Sequence, residues 1–310
     1  MLIVIMLVMA GCASGDNQEE KKNLPDINPN AESANKDSLD VTLYFSYRGE
    51  ELLAGETVTI NVPVNESLEY AVVRALINGP TVNRAELTGL FWEGVKLVRV
   101  DSSADILFIT LNEAFVSTEP EKVVLEEGTV AEQKRLAICS IVNTVVEMGK
   151  YSRVQINVDK QAGVGQAITR QEAGWETDGA QRLEPLGRMK DMILTPQYTL
   201  WQALDSFTKK DWTRLYNFTA YNNPDGSVKP EIKAFSDALS DSGNLLEKFN
   251  VTDMNVSGDG QRATVMLDYS MKTREGDAIG RTNIPVVLVR EEGIWKFSYS
   301  SLVDVLINAG

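Results

Sequence analysis

Between Val41 and Asp159 the hydrophobic period of the chain switches between two and 3.6 in a definite order, and that order leaves few folds open. Val41-Thr-Leu-Tyr-Phe-Ser-Tyr47 alternates as a strand does, and Thr57-Val-Thr-Ile-Asn-Val62 repeats the pattern. Residues 66–78 then read as a helix. Asn65 is placed to cap it, Leu68, Val72, Ala75 and Leu76 share one face, and Asn78-Gly79-Pro80 ends it. Strands over 95–100 and 106–111 follow, joined by Asp101-Ser-Ser-Ala-Asp105 as a hairpin loop of several residues. A second helix over 130–148 opens on the capping-box sequence Thr129-Val-Ala-Glu132 and stops at Gly149. Its core stripe is Ile138, Ile141, Val142 and Val145, and Val154, Ile156 and Val158 form a closing strand. The order β-β-α-β-β-α-β, with both helices on one face of a sheet, predicts an α+β sandwich over residues 41–160.

The remainder reads as a second domain, as expected for 310 residues at about 150 per domain. Residues 161–195 have little hydrophobic period and read as a linker or extension. Gly163-Val-Gly165 within them has neither the third glycine nor the following helix of a dinucleotide fingerprint. A second unit begins at Thr195, and Tyr198 to Phe207 is expected to be helical, with Leu200, Ala203, Leu204 and Phe207 on one side. Shorter helices are expected around 212–218 and 230–239. Ala263 to Met271 alternates strictly, 283–290 is a continuous apolar strand, and Trp295-Lys-Phe-Ser-Tyr299 alternates again. Helices followed by a curved antiparallel sheet make residues 196–310 a second α+β unit.

Composition removes several functions. A net charge of -14 argues against nucleic acid, which needs clustered Lys and Arg to displace phosphate counterions. It also argues against a polybasic grip on anionic lipid. The chain has no histidine, which excludes His-containing triads, His-ligated zinc and His acid–base chemistry. No cofactor, metal site or catalytic residue is expected. Cys139, within Leu136-Ala-Ile-Cys-Ser-Ile-Val, reads as a small buried hydrophobe.

The N-terminus carries a different signal. Met1 to Ala10 is wholly apolar, Gly11-Cys12 follows, and the chain turns polar at once. At ~1.5 Å per residue such a run crosses only about half of a ~30 Å bilayer core, so it reads as a secretory segment. Met9-Ala10-Gly11-Cys12 resembles the lipobox of bacterial lipoproteins, although Met9 stands where Leu is commoner and no Lys or Arg precedes the run. The resemblance implies a lipid on Cys12, which would be the mature N-terminus, and an extracytoplasmic protein anchored to the cell membrane. The alternatives are an ordinary signal peptide or a buried apolar N-terminus with an incidental cysteine. Residues 13–40, rich in Asn and mixed charge, then form a disordered tether with a span of roughly 30 Å.

Residues 41–160 resemble the GerM domain of spore germination. Three stretches carry this: Glu69-Tyr-Ala-Val-Val-Arg-Ala-Leu-Ile-Asn-Gly-Pro80, the hairpin into Leu111-Asn-Glu-Ala-Phe115, and the second helix leading to Val154-Gln-Ile-Asn-Val-Asp159. Lys160-Gln161 departs from the glycine turn that many members place there. The resemblance implies a compact non-catalytic domain related to ring-building motifs and often carried on lipoproteins. Residues 196–310 resemble the nuclear transport factor 2-like cone fold, through the helix pair, the strand around Val265 to Met271, and the ending Val289-Arg-Glu-Glu-Gly-Ile-Trp-Lys-Phe297.

The expected function is that of a lipoprotein acting through protein contacts in the cell envelope, in sporulation, germination or envelope assembly. Its partners would be the membrane, through Cys12, and envelope or sporulation proteins, with homo-oligomerisation left open. Two alternatives remain: a small-ligand-binding or weakly catalytic cone, and an extracytoplasmic modulator of a sensor kinase. For the cone, Asp205 near Trp201 and Tyr216 is the candidate ligand-binding acid, whereas the parity of Asp268 turns it towards solvent.

Overall fold

The computed structural model describes residues 38–81, 84–160, 163–175 and 179–308. Cys12, the apolar run and all but the end of the tether lie outside them. Strands β1 (Ser38–Tyr47) and β2 (Leu53–Asn61) form an antiparallel ribbon whose register runs from Ser38↔Asn61 to Ser46↔Leu53. Order therefore begins before Val41, because Ser38, Leu39 and Asp40 are held by the ladder rather than by a core. Helix α1 (Leu68–Asn78) starts two residues later than its apolar pattern indicates. Ser67, not Asn65, is its cap, accepting a hydrogen bond from the Tyr70 amide at 3.2 Å. β3 (Leu87–Thr88) pairs with the end of β1 and completes a sheet ordered β2-β1-β3.

The remaining strands of this half build a second sheet, so the single sheet expected from the element order is divided in two. It comprises β4 (Leu97–Ser103), β5 (Ile106–Asn112), β6 (Arg153–Asp159) and β7 (Gly165–Ala167), in that spatial order. The β4–β5 connection is tighter than expected: pairing continues to Ser103↔Ile106, leaving Ala104-Asp105 at the tip, with Ala104 at φ 52. After the short α2 (Ala114–Ser117), α3 (Val130–Glu147) forms the crossover that makes β5 and β6 parallel. Its capping box is complete. Glu132 accepts from the Thr129 amide at 2.7 Å, and Thr129 Oγ1 accepts from the Glu132 amide at 3.2 Å.

α3 is buried on all sides from Leu136 to Val145, packing against β1 of one sheet and β6 of the other. Its polar residues must therefore be satisfied internally. Ser140 Oγ donates to the Tyr44 carbonyl at 2.5 Å and Thr144 Oγ1 accepts from the Tyr44 amide at 3.1 Å, covering the β1 edge beyond β3. Asn143 exchanges two hydrogen bonds with the backbone of Met189, and Gln133 bridges Val124 N and Leu90 O. Residues 163–175 and 179–195 lie along this half. Leu186 exchanges two 2.8 Å backbone bonds with Val154, and the Leu194 amide donates to Leu53 O at 2.9 Å. Gly174, at φ +80, is pressed so close to α3 that an added Cβ would stand 2.0 Å from Ala131 O.

The second half opens with α4 (Pro196–Thr208), capped by Thr195 with proline in its first turn, then α5 (Trp212–Phe218) and α6 (Ile232–Ser242). Strands β8 (Leu245–Val256), β9 (Arg262–Lys272), β10 (Ala278–Glu291) and β11 (Ile294–Phe297) form an antiparallel sheet ordered β11-β10-β9-β8. α7 (Tyr299–Leu302) and a π turn over 303–307 follow. Register shifts at Leu246/Lys248, Val251/Met254 and Arg281/Ile284 bend and curl the sheet. They also explain why β8 has no visible period in the sequence, since each bulge reverses the alternation. Along β9, Ala263, Val265, Leu267, Tyr269 and Met271 are buried, whereas Asp268 is half-buried and accepts from the Asn283 amide. Phe207, Leu215, Phe218, Phe235, Leu239 and Phe297 are buried beside them, in a hydrophobic cluster continuous with that of the first half.

Candidate functional site

The two halves meet at the end of β1. Tyr47 is fully buried there, its ring centroid 5.3 Å from that of Phe218, and its hydroxyl donates to Asn217 O at 2.7 Å. Lys296, on β11 and only 2% exposed, reaches the same place. Its Nζ donates to Tyr47 Oη at 2.6 Å, Asn217 O at 2.7 Å and Glu86 Oε1 at 2.9 Å. Glu86 also pairs with Arg48 at 2.9 Å. Burial pushes the Lys296 ammonium down, opposed by the Glu86 charge. Burial would push Glu86 up, but Lys296 and Arg48 beside it hold its carboxyl below the usual range.

This arrangement answers a need of α5, whose last carbonyls have no helical donor. The Leu215 carbonyl takes Thr219 Oγ1, and the Asn217 carbonyl takes Tyr47 and Lys296. Tyr216 O and Thr219 O are both held by Lys229 Nζ, at 2.8 and 2.7 Å. Two lysines from different elements thus cap one short helix at its negative end. Burial, then repulsion from Lys296, brings the Lys229 ammonium down to about 8. At the other side of α5, Arg214 binds Glu50 through two nitrogens, at 2.6 and 3.0 Å, and Gln202 at 2.6 Å. The β10–β11 turn seals the junction. Gly293, at φ +89, lies where a Cβ would be 3.0 Å from Gly55 O, and Arg84 binds Glu292. The cluster is a polar clamp between the halves, and its lysine is too buried to meet a substrate.

Asp205 lies on α4 beside this clamp rather than inside the curled sheet. It pairs with Lys209 at 2.8 Å and stands 3.6 Å from Arg214. Trp201, one turn earlier, lines the same cleft, but Tyr216 packs elsewhere, edge-on to Phe235 at 5.1 Å and under Lys229. The cleft encloses about 630 Å³ between the β1–β2 turn, the loop before α3, and α4 and α5. Across Trp201 runs a second, more apolar groove of about 860 Å³, whose walls include Ile193, Tyr198, Val251 and Met254. Trp201 forms the ridge between them. It is 42% exposed and held by Tyr198 at 6.2 Å and Phe249 at 6.0 Å between centroids. The sequence did hold a signal for this, because Trp201 falls off the Leu200, Ala203, Leu204, Phe207 stripe. Neither Lys229 nor Lys296 gave one: a lysine in a turn and a lysine in an alternating strand both read as solvated.

Among the described residues, no group of three or more Cys, Asp or Glu side chains is arranged to hold a metal ion. Burial pushes the Cys139 thiol up to about 12, consistent with a packing role.

Residues 42–163 match the family described as Germane, sporulation and spore germination. Over these residues the first half is similar to that family. Solved structures similar to this chain include the tandem GerMN domains of the sporulation protein GerM from Bacillus subtilis, at 19% identity and TM-score 0.32. That match covers 49% of this chain and 45% of the other, so the chain spans less than half the length of the tandem-domain protein. A putative lipoprotein from Clostridium perfringens is 21% identical over 51% of this chain and 94% of that one, with TM-score 0.26. An NTF2-like protein of unknown function from Cytophaga hutchinsonii is 11% identical over 34% of this chain and 86% of that one, with TM-score 0.24. No curated protein matches. Among the described residues, no helix is long and apolar enough to cross a membrane.

Proposed function

We propose that this chain is a non-catalytic lipoprotein, anchored through Cys12, whose GerM-type domain and second domain act as one body in protein contacts of the cell envelope during sporulation or germination. The match of residues 42–163 to the sporulation and germination family carries the reading. The clamp supports it, because the conspicuous buried charges are spent on joining the two halves rather than on a reacting centre. The burial of Phe218, Phe235 and Phe297 beside the curled sheet is in keeping with a packed interior there. Two measurements test the reading. Metabolic labelling with a radiolabelled fatty acid should mark the wild type, and Cys12→Ser should abolish the label and release the protein from the membrane fraction. In-cell crosslinking during sporulation should then join the anchored protein to specific envelope proteins. An unlabelled wild type, or a protein that crosslinks to nothing in sporulating cells, sinks the proposal.

A further inference from the structure

The Trp201 ridge is the least economical feature of the surface. An indole 42% exposed leaves apolar area in water, yet its ring is fixed between Tyr198 and Phe249. A rigid aromatic of this kind loses little rotamer freedom when a partner covers it, which is why Trp is enriched among binding hot spots. The two depressions beside it differ in chemistry. In the groove, Ile193, Tyr198, Val251 and Met254 offer apolar walls. Charge there is balanced, with Arg188 held by Glu147 and Lys190 offset by Asp191. In the cleft, six carboxylates face three cations. Arg214 and Lys209 neutralise Glu50 and Asp205, Glu51 is paired with Arg135, and Asp211 caps α5. Glu126 and Glu127 are left at the rim with no ion pair among the described residues.

We infer that the Trp201 ridge docks an extended segment of a partner protein in which an apolar side chain fills the groove and a neighbouring Lys or Arg enters the cleft beside Glu126 and Glu127. The inference rests on the protein-contact reading above and gives it a place and a partner chemistry. The indole supplies the anchor and also a face for the cation. The unpaired carboxylates set the sign and reject acidic segments.

Fluorescence anisotropy on the full chain, with labelled peptides of alternating Leu-Lys, Leu-Glu and Ser-Lys, tests this. The Leu-Lys peptide should bind at least tenfold more tightly than either control, and its affinity should fall with salt. Trp201→Ala should weaken it by about 30-fold, the loss of a central aromatic anchor. The double change Glu126→Gln, Glu127→Gln, on exposed positions outside the core, should weaken it several-fold and reduce the salt dependence. Unchanged thermal unfolding of both variants keeps the reading tied to the surface. Equal affinity of wild type and Trp201→Ala, or equal binding of the Leu-Glu peptide, overturns the inference. So does Trp201-dependent self-association in sedimentation, which would make a second copy the occupant, or Trp201-dependent binding to anionic vesicles. Envelope crosslinks that persist unchanged with Trp201→Ala would remove the ridge as the contact while leaving the protein-contact reading intact. A wild type with no crosslinks removes that reading itself.

Discussion

Removing opposite ends of the Lys296–Glu86 pair should have unequal consequences, and the inequality follows from the partners each leaves behind. Glu86→Gln strips the carboxylate from an ammonium that is only 2% exposed, so a positive charge stays in the junction with only neutral acceptors, Tyr47 Oη, Asn217 O and the new amide oxygen, to receive it. Breaking a buried pair in this way costs about 3–5 kcal/mol. Because the Glu86 side chain is itself 27% exposed and water can partly replace it, about 3 kcal/mol is the expected loss. Lys296→Met, of similar length, leaves no orphan. Glu86 keeps Arg48 at 2.9 Å, and Asn217 O keeps the Tyr47 hydroxyl at 2.7 Å. With the desolvation of the ammonium also removed, the change should be within about 1 kcal/mol of neutral. Urea unfolding followed by tryptophan fluorescence and far-UV circular dichroism measures both. In a chain of this size about 3 kcal/mol lowers Tm by roughly 6–12 °C. A Lys296→Met variant less stable than Glu86→Gln would refute the claim that the charge, rather than the lysine's hydrogen bonds, dominates the clamp. A wild type that unfolds in two separated steps would refute the view that the clamp couples the halves.

Three further outcomes are expected. Since the folded pKa of Lys229 is lowered to about 8 from the ordinary 10.5, the unfolded chain binds the extra proton between those values. Wild-type stability should therefore rise relative to Lys229→Met as pH increases from about 8 to about 10.5, with no relative change below; thermal unfolding of both across pH 7 to 10 checks the sign, and a constant difference refutes it. Gly174→Ala combines a positive φ with a 2.0 Å approach to Ala131 O, and should cost about 3 kcal/mol or more in denaturant unfolding, well above an alanine substitution at exposed Gly258, where no atom lies within 4 Å. Thr129→Ala opens the capping box and should cost about 1 kcal/mol, visible as a lower urea midpoint with an unchanged slope.

The elements that the sequence announced are those whose own residues carry the instruction. α3 has its capping box and β9 its strict alternation, and each stands within a residue or so of its expected place, whereas α4 begins at Pro196, two residues ahead of the expected Tyr198. β8 was illegible because two bulges break its period, and residues 163–175 and 179–195 because their buried side chains, Ile168, Ala173, Leu183, Ile193 and Leu194, recur at no regular spacing. Asp205 was correctly placed near Trp201 but not near Tyr216, since helix periodicity relates residues of one helix and is silent on how two helices pack.

Local chemistry thus determined the α+β class of the fold and the order of most of its helices and strands. Only the tertiary structure decided the division of the first strands between two sheets, the burial of Lys296, and the exposure of Trp201. The physical reason is one of range. Periodicity, caps and turn chemistry act over a few residues and are written where they act. The clamp and the ridge depend on Tyr47, Glu86, Asn217 and Lys296, or on Tyr198, Trp201 and Phe249, which become neighbours only when distant segments pack.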